Sequence, residues 1–184
     1  MIIINVLLFK VYIMTIDKSR EHLPYRETTD AFLIYDGKVL TMDKSRYMQF
    51  PGGGVDPGET PIQAVKREIQ EEVGCKVDKL QLIASIDSDW FPEWADTEKR
   101  KKRYQQFRGE RTHLFIGFIT SFGKPTSDEG DAWPLPIKKH LININNIDKK
   151  MTEQIKSENP AFMCYKTNQL SIIRMIKYFK NTLT

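Results

Sequence analysis

Twenty-three residues, Gly53 to Cys75, constrain this chain more than any other stretch of it. They read GGVDPGETPIQAVKREIQEEVGC. Glycines and an Asp56-Pro57-Gly58 turn come first, so the backbone there bends tightly and can approach its neighbours closely. A helix then has local reasons both to start and to stop. Thr60 is an N-cap residue, Pro61 suits the first helical position, and Gly74 is a C-terminal stop. Ile62, Val65, Ile69 and Val73 recur at three and four residues and give one apolar face. Glu68, Glu71 and Glu72 fall at i, i+3 and i+4, so a regular helix puts all three carboxylates on one face. Like charges at this spacing repel by roughly a few tenths of a kcal/mol per pair, and the helix dipole disfavours anions at this end. Oxygen ligands placed against local preference suit a hard cation such as Mg²⁺, with Mn²⁺ as the alternative. The plainer reading is a solvated acidic face partnered by Lys66 and Arg67.

Strands and helices interleave around this segment. Thr29 to Met42 holds two apolar runs flanking Asp36-Gly37, a hairpin signature. Tyr47 to Phe50 is a short strand ending at Pro51. Leu80–Ile86 and Thr112–Phe122 read as strands, the second the clearest in the chain, and Trp133–Leu135 as a short one. Asp148–Glu158 reads as a helix stopped at Asn159-Pro160, and Asn168–Asn181 as a closing helix with Leu170, Ile173, Ile176 and Phe179 at threefold spacing. The expectation is an α/β fold, a mixed sandwich of sheet and helices. A chain of 184 residues is most simply one domain, 1–184. Its parts are an N-terminal extension (1–28), an irregular excursion (89–111) and C-terminal helices (148–184).

Met1 to Met14 is strongly apolar, but it is too short for a spanning helix and contains Lys10. No Lys or Arg precedes the run and no small-residue cleavage site follows it, which disfavours a signal peptide. Ile and Val enrichment favours a strand, and a start at Met14 is the alternative, so no membrane association is expected. Two cysteines, Cys75 and Cys164, exclude a disulfide scaffold and a four-cysteine zinc site. Buried thiols in a reducing, cytoplasmic setting are expected. His22, His113 and His140 have no partners at metal spacing and read as structural or surface residues.

Charge is not spread evenly. Glu98 to Arg111 holds seven basic residues (Lys99, Arg100, Lys101, Lys102, Arg103, Arg108, Arg111) against Glu98 and Glu110, a net of +5. The whole chain carries +4, so the remainder carries −1. This is a near-neutral body with one basic segment, not a basic protein.

The 23-residue stretch also fits a longer pattern: Gly, five residues, Glu, seven residues, then Arg-Glu-apolar-any-Glu-Glu-any-Gly. Gly53, Glu59, Arg67, Glu68, Ile69, Glu71, Glu72 and Gly74 all fall in place. The stretch resembles the Nudix box of the Nudix hydrolase family, and Phe50-Pro51-Gly52-Gly53-Gly54 is a lead-in common there. Eight specified positions at fixed spacing are far more specific than a lone glycine motif. One position departs: Cys75 stands where Ile, Leu or Val is usual, which alters packing and leaves the chemistry untouched. The resemblance implies an α/β/α sandwich on a mixed sheet with a loop-helix-loop box. It also implies a metal-dependent pyrophosphohydrolase, in which water attacks phosphorus in a nucleoside di- or triphosphate or a nucleoside diphosphate derivative. Glu68, Glu71 and Glu72 match the metal-binding carboxylates, and Gly53 matches the glycine whose backbone approaches metal or phosphate. Glu59 matches the glutamate that pairs with the box arginine, Arg67. Glu71 or Glu72 is a candidate general base, while many members use a glutamate outside the box. Glu110, Glu129 and Asp131 are candidates of that kind, and for each a solvated loop carboxylate is the favoured reading.

Substrate choice would fall to Asp89–Arg111, where Trp90, Phe91, Trp94, Tyr104 and Phe107 are interleaved with the basic run. Aromatics can stack on a base, and Lys and Arg can grip phosphates. The candidate substrate-binding residues are Gly53, Gly54, Trp90, Arg103, Arg108 and Arg111. A lid over a small nucleotide is favoured; a landing strip for the 5′ end of RNA and a merely solvated loop are the alternatives. A non-catalytic nucleotide sensor is disfavoured because no box glutamate is lost. A homodimer would also fit the family.

Overall fold

A computed structural model describes residues 18–44, 47–127, 132–157 and 160–182. The readings of Met1–Met14, Glu129, Asp131 and the Cys164 side chain lie outside what is described. The elements in chain order are β1 (Tyr25–Tyr35), β2 (Lys38–Leu40), β3 (Met42–Lys44), β4 (Tyr47–Gln49), α1 (Pro61–Glu68), β5 (Cys75–Asp89), α2 (Glu98–Gln106), β6 (Gly109–Phe122), β7 (Leu141–Asn143), α3 (Ile144–Ser157) and α4 (Pro160–Thr182). Five strands form one sheet in the order β5-β6-β1-β2-β7, and β3 and β4 form a separate ribbon. β1 and β6 run parallel and the other pairs are antiparallel, so the sheet is mixed.

The local chemistry explains the turns. Asp36 and Gly37 both take positive φ, 47° and 65°. That pair makes the tight turn that sets Ile34 opposite Val39 and Tyr35 opposite Lys38. Alternation along the strands then sorts two cores. Ala31 and Leu33 of β1 and Phe115 and Ile119 of β6 pack with Val65, Ile69 and Val73 of the box. Phe32 and Leu114 point the other way and pack with Ile144, Ile147 and Met151 of α3 and Leu170 and Ile173 of α4. The result is the α/β/α layering that the resemblance implies. Each fully buried Val, Leu or Ile here contributes roughly 1.5–3 kcal/mol. Cys75 is buried at the start of β5, and burial pushes its thiol up to about 11, so it is an inert packing residue.

Three expectations are corrected. The segment 89–111 is not an irregular loop: β5 runs to Asp89, Pro92–Trp94 forms a 3-10 turn, and α2 occupies most of the basic run. Its sequence, EKRKKRYQQ, consists largely of good helix formers. Thr97 caps it by accepting from the Arg100 N–H at 3.2 Å. It buries no apolar stripe, so periodicity could not reveal it. Trp133–Leu135 is not a strand: Trp133 is buried in irregular backbone, and Pro134 and Pro136 cannot donate to a ladder. The edge strand is β7, eight residues further on. The C-terminal helices are also longer than expected, starting at Ile144 and Pro160. No helix among the described residues is long and apolar enough to cross a membrane.

Candidate active site

The glycine-rich loop lies along the edge of β1 that β2 leaves unpaired. Thr29 N–H donates to Gly53 O at 2.8 Å, Ala31 N–H to Pro51 O at 2.8 Å, and Val55 N–H to Glu27 O at 3.1 Å. This pairing fixes the loop against α1, whose start is set by Thr60 and Gln63. Thr60 N–H donates to Gln63 Oε1 at 2.8 Å and Gln63 N–H to Thr60 O at 2.9 Å. A Cβ on Gly53 would stand 2.3 Å from Glu68 Oε1, so only glycine leaves room for the carboxylate.

The end of the helix departs from the regular geometry expected of it. α1 is α-helical to Glu68, and Ile69–Val73 forms one π turn, closed by Gly74 N–H on Ile69 O at 2.9 Å. Gly74 takes φ 62°, the left-handed stop that its position predicts. Single π turns are frequent at functional sites. The wider turn means that the three carboxylates do not form one simple row. Glu68 Oε1 and Glu71 Oε2 each accept from Arg67 Nη1 at 2.9 Å, whereas Glu72 turns inward and accepts from Gly52 N–H at 2.9 Å.

Arg67 organises the rest. It donates from Nε to Glu59 Oε1 at 2.9 Å and from Nη2 to Glu59 Oε2 at 3.0 Å and to Gly54 O at 2.9 Å. With the two bonds from Nη1, all five of its N–H donors are used. This holds the Arg67 pKa well above its ordinary range, chiefly through Glu59, and pulls Glu59 below the usual carboxylate range. The expected Glu59–Arg67 pairing is present. Glu68 is raised, first by burial. Glu72, 9% exposed, is raised to about 8 by burial, with Glu68 and Asp30 adding to the push. The Trp133 indole, also buried, acts on Glu72 in the opposite direction as a donor.

Among the described residues, no three Asp, Glu, His or Cys side chains converge into a ready-made ligand set, because the carboxylates meet Arg67 and Gly52 instead of one another. The donor chemistry nonetheless fits a hard divalent cation. Every donor is an oxygen, Gly53 leaves room at Glu68, and two carboxyls are held in protonation-prone surroundings that a cation would relieve.

Beside the box, the face of the sheet that turns toward α4 carries charge. Arg26, Thr28 and Asp30 of β1 alternate there, opposite Glu110 and Thr112 of β6 in register. Gln169 Nε2 donates to Asp30 Oδ2, and Lys166 Nζ donates to Gln169 Oε1 at 2.8 Å and Met48 O at 3.1 Å. Glu110 is therefore no solvated loop residue: burial, then Asp30, raises its pKa. A Cβ on Gly54 would meet Arg26 Nη2 at 2.5 Å, which places this guanidinium at the loop. Arg103 of α2 lies close enough to Arg26 to depress its pKa, after burial as the larger cause. Arg26, Asp30, Lys166 and Gln169 were not among the candidates read from the sequence. Positions 26–30 read RETTD, polar throughout, so no alternation marks Arg26 and Asp30, and Lys166 and Gln169 come from α4, far along the chain.

Three expected substrate residues are engaged elsewhere. Arg108 donates from Nε and Nη2 to Asp89 at 2.7 and 2.9 Å, and Arg111 donates in the same way to Asp87 at 2.7 and 2.8 Å. These forks tie the stems of β5 and β6 together, with Tyr25 OH on Asp89 at 2.7 Å. Trp90 is buried and stacked on Trp94, centroids 3.7 Å apart, and Arg100 lies over the Trp94 ring. Gly53, Gly54 and Arg103 are the expected substrate residues that the structure brings to the box.

The chain is similar to known proteins in sequence. A family model for the NUDIX domain matches residues 24–155. An RNA pyrophosphohydrolase of Francisella tularensis is 54% identical over 43 residues, 23% of this chain and 27% of that protein. One from a Nitratiruptor species is 46% identical over 71 residues, 37% of this chain and 41% of that protein. The chain thus spans less than half the length of these curated relatives. Among solved structures, a NUDIX hydrolase from Nitrosomonas europaea aligns with a TM-score of 0.46 and 18% identity, covering 80% of this chain and 90% of that one. The E. coli dihydroneopterin triphosphate pyrophosphohydrolase aligns with a TM-score of 0.47 and 16% identity, covering 68% and 87%. With the family model spanning most of the chain, from the start of β1 into α3, and the arginine-glutamate core of the box in place, this chain belongs to the NUDIX domain family.

Proposed function

We propose that the protein is a divalent-metal-dependent pyrophosphohydrolase that cleaves a phosphoanhydride bond of a nucleoside 5′-polyphosphate group. The observation that carries this reading is the loop-helix unit in which Arg67 joins Glu59, Glu68 and Glu71 while Glu72 is fixed by Gly52. Glu68, Glu71 and Glu72, with the backbone of Gly53, would hold Mg²⁺ or Mn²⁺. When bound, the cation neutralises phosphate charge and lowers the pKa of water. Arg67 and Glu59 keep the carboxylates oriented, which matters because a misplaced ligand costs far more than its own contact. Glu71 or Glu72 takes the proton from the attacking water. Arg26, at Gly54, would face the phosphate oxygens.

For the substrate, an RNA 5′ end has support over the free nucleotide that the sequence alone favoured. Two curated relatives that are similar to parts of this chain are RNA pyrophosphohydrolases. The basic run is a helix beside the site with its aromatic rings already packed, not a stacking lid.

Glu71→Gln and Glu72→Gln test the box. Each should lower turnover by orders of magnitude while the circular dichroism spectrum and melting curve stay close to the original, since glutamine can still accept from Arg67 or from the Gly52 N–H. Near-normal hydrolysis in both variants would remove the box from the reaction.

A further inference from the structure

Most charges of the basic segment are consumed in structure. Arg100 pairs with Asp96, Lys101 with Glu98, Arg108 with Asp89 and Arg111 with Asp87. Lys99, Lys102 and Arg103 are different: among the described residues none of their side chains makes a hydrogen bond or an ion pair. On α2 they fall within a stripe about 100° wide, at i, i+3 and i+4. Lys99 and Lys102 are exposed, and Arg103 is half-buried at the end of α2, where Phe107 N–H donates to Arg103 O at 2.9 Å and Arg108 N–H donates to Pro24 O at 2.9 Å, two residues before Arg26. Arg26 likewise has no hydrogen bond or ion pair among the described residues, though it is half-buried. Glu110, Glu68 and Asp56 act on Arg26 only at longer range, against the repulsion of Arg103. Two half-buried guanidiniums close enough to repel each other are unfavourable unless an anion joins them. Lys102 and Lys99 continue the same stripe of α2 toward its N-terminus. A single polyphosphate would satisfy Arg26 and Arg103, but it leaves the outer lysines without a partner.

We propose that Arg26 and the Lys99–Lys102–Arg103 stripe of α2 form one cationic track that holds the backbone phosphates of single-stranded RNA, whose 5′-terminal phosphates lie at the box. The proposal rests on the function proposed above for the location of the 5′ end, and on geometry alone for the track. Recognition is electrostatic and independent of sequence, because Trp90, Trp94 and Tyr104 have their ring faces occupied by one another, by Arg100 and by Arg20.

The test is equilibrium binding, without added metal so that no turnover occurs. It uses a 5′-triphosphorylated single-stranded RNA oligomer and a nucleoside triphosphate, each over a salt series. Wild type should bind the oligomer at least about tenfold more tightly than the nucleotide, because more phosphates are contacted. Lys99→Gln/Lys102→Gln should weaken oligomer binding about tenfold and make the salt dependence shallower by about 1.4, or 0.7 per lost phosphate contact. Lys76→Gln/Lys79→Gln, of equal charge change at the far end of β5, should leave both quantities unchanged. Wild-type affinity and salt slope in the Lys99/Lys102 variant, or an equal loss in the Lys76/Lys79 variant, would overturn the track. So would an acidic peptide that binds as tightly as the RNA. If wild type hydrolyses neither ligand with Mg²⁺ yet the binding results are as stated, the proposed activity fails and the track stands.

Discussion

At the scale of single residues, the same chemistry serves two ends in this molecule. Arg67 collects four acceptor groups in the box, while Arg108 and Arg111 each spend a bidentate fork on one aspartate of β5. A fork of this kind is geometrically specific, and it holds the stems from which α2 is hung. Arg108 keeps Asp89 below the usual carboxylate range. A carboxylate with a depressed folded-state pKa contributes stability above its unfolded value, about 3.9, and loses it as pH falls through the folded value. Arg108→Gln should therefore lower the melting temperature at neutral pH. Its gap to wild type should close as the pH falls below about 4. A gap that stays constant across that range, measured by thermal denaturation against pH, would show that the fork does not stabilise through the charge of Asp89.

At the scale of elements, legibility tracked how strongly local chemistry constrains the backbone. The Asp36-Gly37 hairpin, the Thr60-Pro61 helix start and the Gly74 stop all follow from side chains that leave few alternatives, and all are present. The π turn at Ile69–Val73 was not legible, because it arises from packing Val73 and Glu72 inward while Gly74 closes the helix. α2 was hidden for a different reason. It has no buried residue of its own, so no apolar period marks it. Its place is set instead by Arg20, 70 residues before Trp90, whose guanidinium lies over the Tyr104 ring. Arg20 donates to Trp90 O at one stem and to Tyr104 O and Phe107 O at the other. A cation on the last carbonyls of a helix also suits its dipole. Arg20→Ala should lower the local opening free energy of α2 by roughly 3 kcal/mol. In hydrogen exchange, residues 98–107 should speed up by about two orders of magnitude while β1 and β6 keep their protection. Unchanged exchange in α2 would mean that its stems alone hold it.

At the scale of the whole molecule, a mixed sheet separates two kinds of work. One face carries the box helix on an apolar core, and the other packs α3 and α4 while its strands also bear Arg26, Asp30 and Glu110. The box sits at the edge between them, where carboxylates from one side meet cations from the other. The chain's modest net charge of +4 conceals this division. The carboxylate half was legible in the spacing of Glu68, Glu71 and Glu72. The cationic half was only partly so, since composition could not tell the bound Arg108 and Arg111 from Lys99, Lys102 and Arg103, which pair with no side chain among the described residues. The central claim is that the two halves together cleave a phosphoanhydride bond. The most direct measurement follows phosphate and pyrophosphate release from 5′-triphosphorylated RNA and from nucleoside triphosphates, with Mg²⁺, with a chelator, and with Glu72→Gln. The account predicts release that requires the metal and is lost in the variant. Release that persists with the chelator and in Glu72→Gln, or no release from any of these substrates with Mg²⁺ present, would contradict it.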